Sequence, residues 1–170
     1  RSGLLVLGRT RGTSNGSSTI VNDDDQIGVI RFVAADGTDA NSQAAAIAVF
    51  IDGTPGGSDV PGRLLFMTAN DGSSAATEKM TIKADGRVGI GTGNPQSDLV
   101  VRGSTPQFTL EPTADTQTCR LQFCTTDGTI KTSIQGGGSL DTALRVIQNP
   151  GEVLRLDTSG RVGIGASVPA

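Results

Sequence analysis

The sequence predicts an all-β protein made of short-stranded hairpin repeats. Three observations predict it. Glycine accounts for 24 of 170 residues, about twice its usual share. Asp-Gly recurs at 36–37, 52–53, 71–72, 85–86 and 127–128, and Ser-Gly stands at 159–160; these dipeptides are hairpin-turn signals. Between them lie short segments rich in Val, Ile, Leu, Phe and Thr, with no convincing helical period.

The expected strands are 27–34, 47–51, 64–68, 79–83, 87–90, 99–102, 107–110, 120–125, 130–134, 144–148 and 153–157. Residues 39–50 are the one helical candidate because of their alanines, but the β-branched neighbours make a strand the better reading. The stretches 13–19, 115–118 and 135–139 read as polar or glycine-rich loops.

Composition excludes several functions. The net charge of −3 argues against nucleic acid, which calls for a basic stripe. There is no His, so neither a Ser-His-Asp nor a Cys-His site can be built, and the commonest metal ligand is missing. The longest apolar run, 44–51, is far short of the roughly 20 residues that cross a bilayer. The N-terminus shows no charged-then-apolar leader and begins at Arg1, so the chain reads as an internal piece of a longer protein. Cys119 and Cys124 would lie on opposite faces of a strand, roughly 16 Å apart, and cannot bridge. No cofactor is expected.

A repeat organises the chain. Residues 78–95 align without a gap on 152–169, an offset of 74, and Gly-Arg-Val-Gly-Ile-Gly stands unchanged at 86–91 and 160–165. A weaker echo relates 26–38 to 117–129, and Leu4-Leu-Val-Leu-Gly8 matches Leu99-Val-Val-Arg-Gly103 in kind. Two units follow, 1–95 and 96–170. The first carries 17 extra residues by this alignment, expected within 39–63 as a second hairpin.

The register of the repeated hairpin can be argued. A two-residue loop at Asp85-Gly86 would mix polar and apolar side chains on each face. A three-residue loop, Ala84-Asp85-Gly86, pairs Ile82 with Val88 and Met80 with Ile90. In the second copy it pairs Leu156 with Val162 and Leu154 with Ile164. Both hairpins then gain a wholly apolar face, and a one-residue slip would lose it. The opposite face pairs Thr81 with Gly89, Arg155 with Gly163 and, unfavourably, Lys83 with Arg87. A lone hairpin cannot bury its apolar face. The glycines at 89, 91, 163 and 165 have two readings: bulges in an ordinary sandwich, or close packing of neighbouring chains about a shared axis.

The segment Met80-Thr-Ile-Lys-Ala-Asp-Gly-Arg-Val-Gly-Ile-Gly-Thr, with Pro95 and Leu99-Val-Val-Arg-Gly103 behind it, resembles a repeat of tailed-bacteriophage tail fibres; 154–169 looks like a second copy. In such fibres the repeat often lies upstream of a self-cleaving intramolecular chaperone domain. The resemblance implies an elongated homotrimeric fibre segment used in host attachment. Its interchain packing would come from Met80, Ile82, Val88, Gly89, Ile90, Gly91, Leu154, Leu156, Val162, Gly163, Ile164 and Gly165. The implied partners are other copies of the chain, other virion tail proteins and, through a distal part, a host surface glycan. The implied location is the virion, after assembly in the host cytoplasm.

Other constellations are weaker. Asn22-Asp-Asp-Asp25 offers oxygens to calcium but reads more simply as a solvated turn. Gly86–Gly91 lacks the helix and lysine of a phosphate loop. A glycan-binding β-sandwich module is the second reading, although the Tyr and Trp that suit sugar stacking are absent. Its exposed loop at 53–62 would be the place. A glycosidase using Asp23 and Asp25 is third. The expectation is a non-enzymatic shaft or neck.

Overall fold

The computed structural model describes residues 2–114, 117–137, 144–148, 151–156 and 159–165. Pro169, Asp157 and parts of the expected loops at 115–118 and 135–139 lie outside them. All regular structure among the described residues is β, and residues 39–50 give a strand, not a helix.

The chain forms two compact units, 1–107 and 108–170. In the first, β1 (Gln26–Ala34), β2 (Ser42–Ile51), β3 (Gly62–Ala69), β4 (Ala76–Ile82), β5 (Val88–Ile90) and β6 (Leu99–Val101) lie in sequence order in one sheet. Every pairing is antiparallel except β5–β6, which is parallel. In the second, β7 (Thr118–Cys124), β8 (Ile130–Gly137), β9 (Leu144–Gln148), β10 (Gly151–Leu156) and β11 (Val162–Ile164) form an antiparallel sheet, also in sequence order.

The expected boundary after residue 95 falls too early. Residues 99–101 are a strand of the first sheet, hydrogen-bonded to the last strand of its hairpin. The expected extra hairpin is absent as well. Five antiparallel strands are common to both units, and the first unit's surplus lies in longer strands and loops, such as the β2–β3 loop at 52–61. Residues 107–110 form no strand. Pro106 and Pro112 flank them, and proline cannot donate to a ladder.

The terminal hairpins have the register that the three-residue loop predicts. Ile82 faces Val88, Thr81 faces Gly89 and Met80 faces Ile90. Leu156 faces Val162, Arg155 faces Gly163 and Leu154 faces Ile164. One hydrogen bond recurs at the same offset: Gly91 N donates to Lys79 O at 2.8 Å and Gly165 N to Val153 O at 3.1 Å. The glycine of every Asp-Gly and Ser-Gly turn has a positive φ, from 77° to 127°.

The weaker echo is also structural. Asp36 Oδ1 accepts from Thr38 N at 2.8 Å and Asp39 N at 3.1 Å. Asp127 Oδ1 accepts from Thr129 N at 2.9 Å and from the Thr125 hydroxyl. Each aspartate closes the first turn of its sheet by bonding the backbone two residues on.

Two glycines are required by the chain's own fold-back. After β5 the chain reverses through 91–98 to lay β6 beside it. A Cβ on Gly89 would sit 2.1 Å from Thr92 O, and one on Gly91, where φ is 72°, would sit 2.1 Å from Arg102 O. Neither carbonyl can retreat without breaking the fold-back. Gly91→Ala should therefore destabilise the first unit by about 2 kcal/mol or more, while Gly57→Ala, whose added carbon meets nothing within 4 Å, should change it by less than about 0.5 kcal/mol. Urea unfolding of the two variants checks this.

Candidate assembly surface

The register fixes which side chains share a face. One face of the first sheet carries two cross-strand rows. The first is Gly28, Val49, Leu64, Ile82, Val88 and Leu99; the second is Ile30, Ile47, Phe66, Met80, Ile90 and Val101. All but Gly28 are apolar. The second sheet repeats the arrangement with Leu121, Ile134, Val146, Leu154 and Ile164 in one row. Leu144, Leu156 and Val162 follow beside them.

Among the described residues no second layer of strands covers this face, and in the first unit Leu7 lies over its edge at Gly28. Strands touch only their neighbours along the sheet, apart from a minor contact between β2 and β4. Ile30, Val49, Phe66, Ile90, Leu99 and Val101 are exposed, as are Leu121, Ile134, Leu156, Val162 and Ile164. Met80, Ile82, Val88 and Leu154 are half-buried. The buried apolar side chains are few and mostly small: Val21, Ala46, Ala48, Ile51, Leu65 and Ala76. The accessible surface is 12022 Å². Two compact domains of these sizes would together expose about 9,400 Å².

The opposite face of the first sheet is the better covered. Its row runs Val29, Ala48, Leu65, Thr81, Gly89 and Val100. Ala48, Leu65, Thr81 and Gly89 are buried, and Thr81 Oγ1 has no hydrogen-bond partner. The like-charged Lys83–Arg87 pairing is relieved by separate carboxylates. Lys83 Nζ pairs with Asp52 Oδ1, and Arg87 Nη1 lies 3.4 Å from Asp85 Oδ2.

The acidic cluster is taken up by two sets of ion pairs and a backbone hydrogen bond, which short-range sequence patterns do not reveal. Asp25 is buried and accepts from Arg11 Nε at 2.6 Å, Arg11 Nη2 at 2.9 Å and Asn22 N at 2.9 Å, with Arg9 Nη2 at 3.1 Å. Asp24, whose φ is 65°, pairs with Arg63 Nη2 at 2.6 Å. Asp23 Oδ1 accepts from Gly53 N at 2.7 Å. The three carboxylates thus serve three different partners. No cluster of three or more metal-ligating side chains occurs among the described residues, and the neighbouring polar cleft of about 460 Å³ is lined by paired charges such as Asp52, Arg63 and Lys83. Cys119 and Cys124 are free thiols.

These sheets match a known architecture. The fold is shared with a phage tail-fibre domain. The carboxy-terminal domain of the bacteriophage T5 L-shaped tail fibre superposes with a TM-score of 0.52 at 13% identity, covering 99% of this chain and 88% of that one. The same T5 domain with its intramolecular chaperone domain gives 0.48 at 13% identity, covering 99% and 64%. At such identity the likeness concerns fold alone. No protein-family model matches the chain, and no curated protein matches it in sequence.

The carboxylates make acid stability predictable. The Arg11 guanidinium, then the Asn22 amide, hold Asp25 well below the usual carboxylate range. The Asp39 and Thr38 amides lower Asp36 from 3.8 to about 2, and the Thr125 hydroxyl with the Thr129 amide does the same for Asp127. Burial would raise Asp52, but the Ala84 amide and Lys83 outweigh it and the net direction is down. A depressed folded pKa means stability that is whole above the unfolded value and lost as pH falls through the folded one. Unfolding free energy should be flat at neutral pH and fall between about pH 4 and pH 2. Asp36→Asn together with Asp127→Asn should shallow that fall in a pH series of urea melts.

Proposed function

We propose that this chain is a structural segment of a phage tail fibre, a shaft or neck in which three copies associate through their apolar sheet faces. The observation that carries the reading is the uncovered face of the first sheet, eleven apolar side chains in two unbroken rows. A contiguous apolar face of this size, left in water by the single chain, marks a surface that associates with another. Identical chains are the simplest source of one. The surplus of roughly 2,600 Å² over two compact domains exceeds the roughly 800 Å² per partner of an ordinary interface.

The shared fold with the T5 tail-fibre domain supports the same reading, as does the Gly-Arg-Val-Gly-Ile-Gly repeat. The role is mechanical and non-enzymatic. The segment holds a distal receptor-binding part away from the virion, and its neighbours along the fibre are other tail proteins. Met80, Ile82, Val88 and Ile90, with Leu154, Leu156, Val162 and Ile164, supply the contact between copies. Gly89 and Gly91 serve it by keeping the hairpin close to the fold-back. Gly163 and Gly165 stand at the same places in the second hairpin.

Sedimentation equilibrium of the chain should give three copies per particle at micromolar concentration. A folded monomer at that concentration would overturn the reading. Ile90 is 42% exposed in the single chain, so Ile90→Asp should leave the strand content of one chain intact. It should nevertheless abolish the oligomer, because an unpaired buried charge is very costly. Ser97→Asp, outside the strands, should leave the oligomer unchanged.

A further inference from the structure

The two sheets share a strand order but differ sharply along one row. In the first sheet, the face opposite the apolar rows carries Val29, Ala48, Leu65, Thr81 and Gly89 across β1 to β5. The same row of the second sheet, across β7 to β11, is Arg120, Gln135, Arg145, Arg155 and Gly163. The repeats in the sequence join the two rows. Arg120 is the counterpart of Val29 in the echo of 26–38 at 117–129, and Arg155 and Gly163 are the counterparts of Thr81 and Gly89. Where the first sheet has valine, leucine and threonine, the second has arginine.

The charge is one-sided. Lys131 alternates with Ser133 along β8 and lies on the same side as the arginine row. The strands β7 to β11 hold one acidic residue, Glu152, whose register partner is Ile147. Arg145 and Arg155 are direct register partners, and like charges directly opposite are destabilising. Both side chains are half-buried, and Arg145 Nε is buried with no hydrogen-bond partner among the described residues. A partly desolvated guanidinium gains more from a counter-charge than a solvated one. A local rule broken in one row of an otherwise regular sheet is the mark of a functional surface.

We propose that this face of the second sheet binds an anionic polysaccharide, whose sulfate, phosphate or carboxylate groups are held by Arg120, Arg145 and Arg155. Guanidinium forks match such oxyanions bidentately. A row crossing neighbouring strands about 4.8 Å apart offers repeated contacts, which suit an extended polymer better than a single ion. Thr118 and Gln122 flank Arg120 on the same side of β7 and offer a hydroxyl and an amide to sugar hydroxyls. Phe123, the one aromatic residue of β7 to β11, alternates onto the other face, so nucleic-acid bases have no ring to stack on here. The site needs a single chain. It uses the face opposite to the one that associates in the reading above, and so goes beyond that reading.

The chain's net charge is −3, so it has no general attraction for polyanions and binding reports this face. The probe is heparin, titrated calorimetrically into the full chain at low salt. It should bind, and weaken steeply as salt is added, whereas uncharged dextran should not bind. Arg120→Gln with Arg145→Gln should weaken heparin binding by at least about tenfold and keep the circular dichroism spectrum. Arg31→Gln with Arg102→Gln, the same charge change in the first unit, should leave it within about twofold. Arg120 is exposed, so Arg120→Glu alone gives a second measure that does not touch packing, and should also weaken binding about tenfold or more. Absence of heparin binding, equal losses from the two pairs, or poly-glutamate bound as tightly as heparin would overturn the proposal. Sedimentation separates the two ideas: three copies that ignore heparin sink only this site, whereas a monomer that binds heparin keeps the site and sinks the side-by-side association.

Discussion

A β-sheet one layer thick has two faces and must find cover for at least one of them. That constraint governs the rest of this protein. The backbone ladders satisfy the amides and carbonyls within each sheet, but ladders hide little apolar surface. Burial inside the chain falls on three alanines with Val21, Ile51 and Leu65, while most isoleucines and valines and a phenylalanine of the sheet stand in rows facing outward. A sequence with five phenylalanines and no tyrosine or tryptophan has few large side chains with which to build a private core. Its stability is therefore tied to what it meets.

The local chemistry is adapted to keep the sheet in one register until then. Turn aspartates lock the backbone two residues on. Lysine and arginine that would repel one another across the β4–β5 hairpin are each given a carboxylate. The Arg9 and Arg11 clamp on Asp25 ties the strand-free N-terminal segment to the entrance of β1. A slip by one residue would move every apolar side chain to the other face, so small contributions at the turns decide where the large rows point.

Much of this was legible in the sequence, and the reason is periodicity. The pairing of Ile82 with Val88, and of Leu156 with Val162, followed from requiring one apolar face in both copies of the repeat. The turn glycines followed from the Asp-Gly dipeptides. What escaped were contacts set by three-dimensional proximity alone. The parallel pairing of Leu99–Val101 with Val88–Ile90 spans only three residues and has no local signature, so the unit boundary was placed too early. Arg11 and Asp25 are 14 residues apart, and Lys83 and Asp52 are 31 apart; nothing in either neighbourhood announces the other. Residues 107–110 had strand-like composition, but the prolines at 106 and 112 deny them a ladder. The part of each face row that lies in a terminal hairpin could be read in advance, whereas its continuation across the other strands, and the carbonyls of Thr92 and Arg102 against Gly89 and Gly91, could not.

The loop between β2 and β3 is closed at its base by the Asp52 amide donating to the Pro61 carbonyl at 3.0 Å, and the Asp52 side chain is held by Lys83 and the Ala84 amide. The strands are thus insulated from whatever happens farther out on that loop. Lengthening a surface loop costs little, about 0.6 kcal/mol for each doubling. Residues 54–60 are accordingly a place where inserted sequence can be carried without disturbing how the strands are aligned.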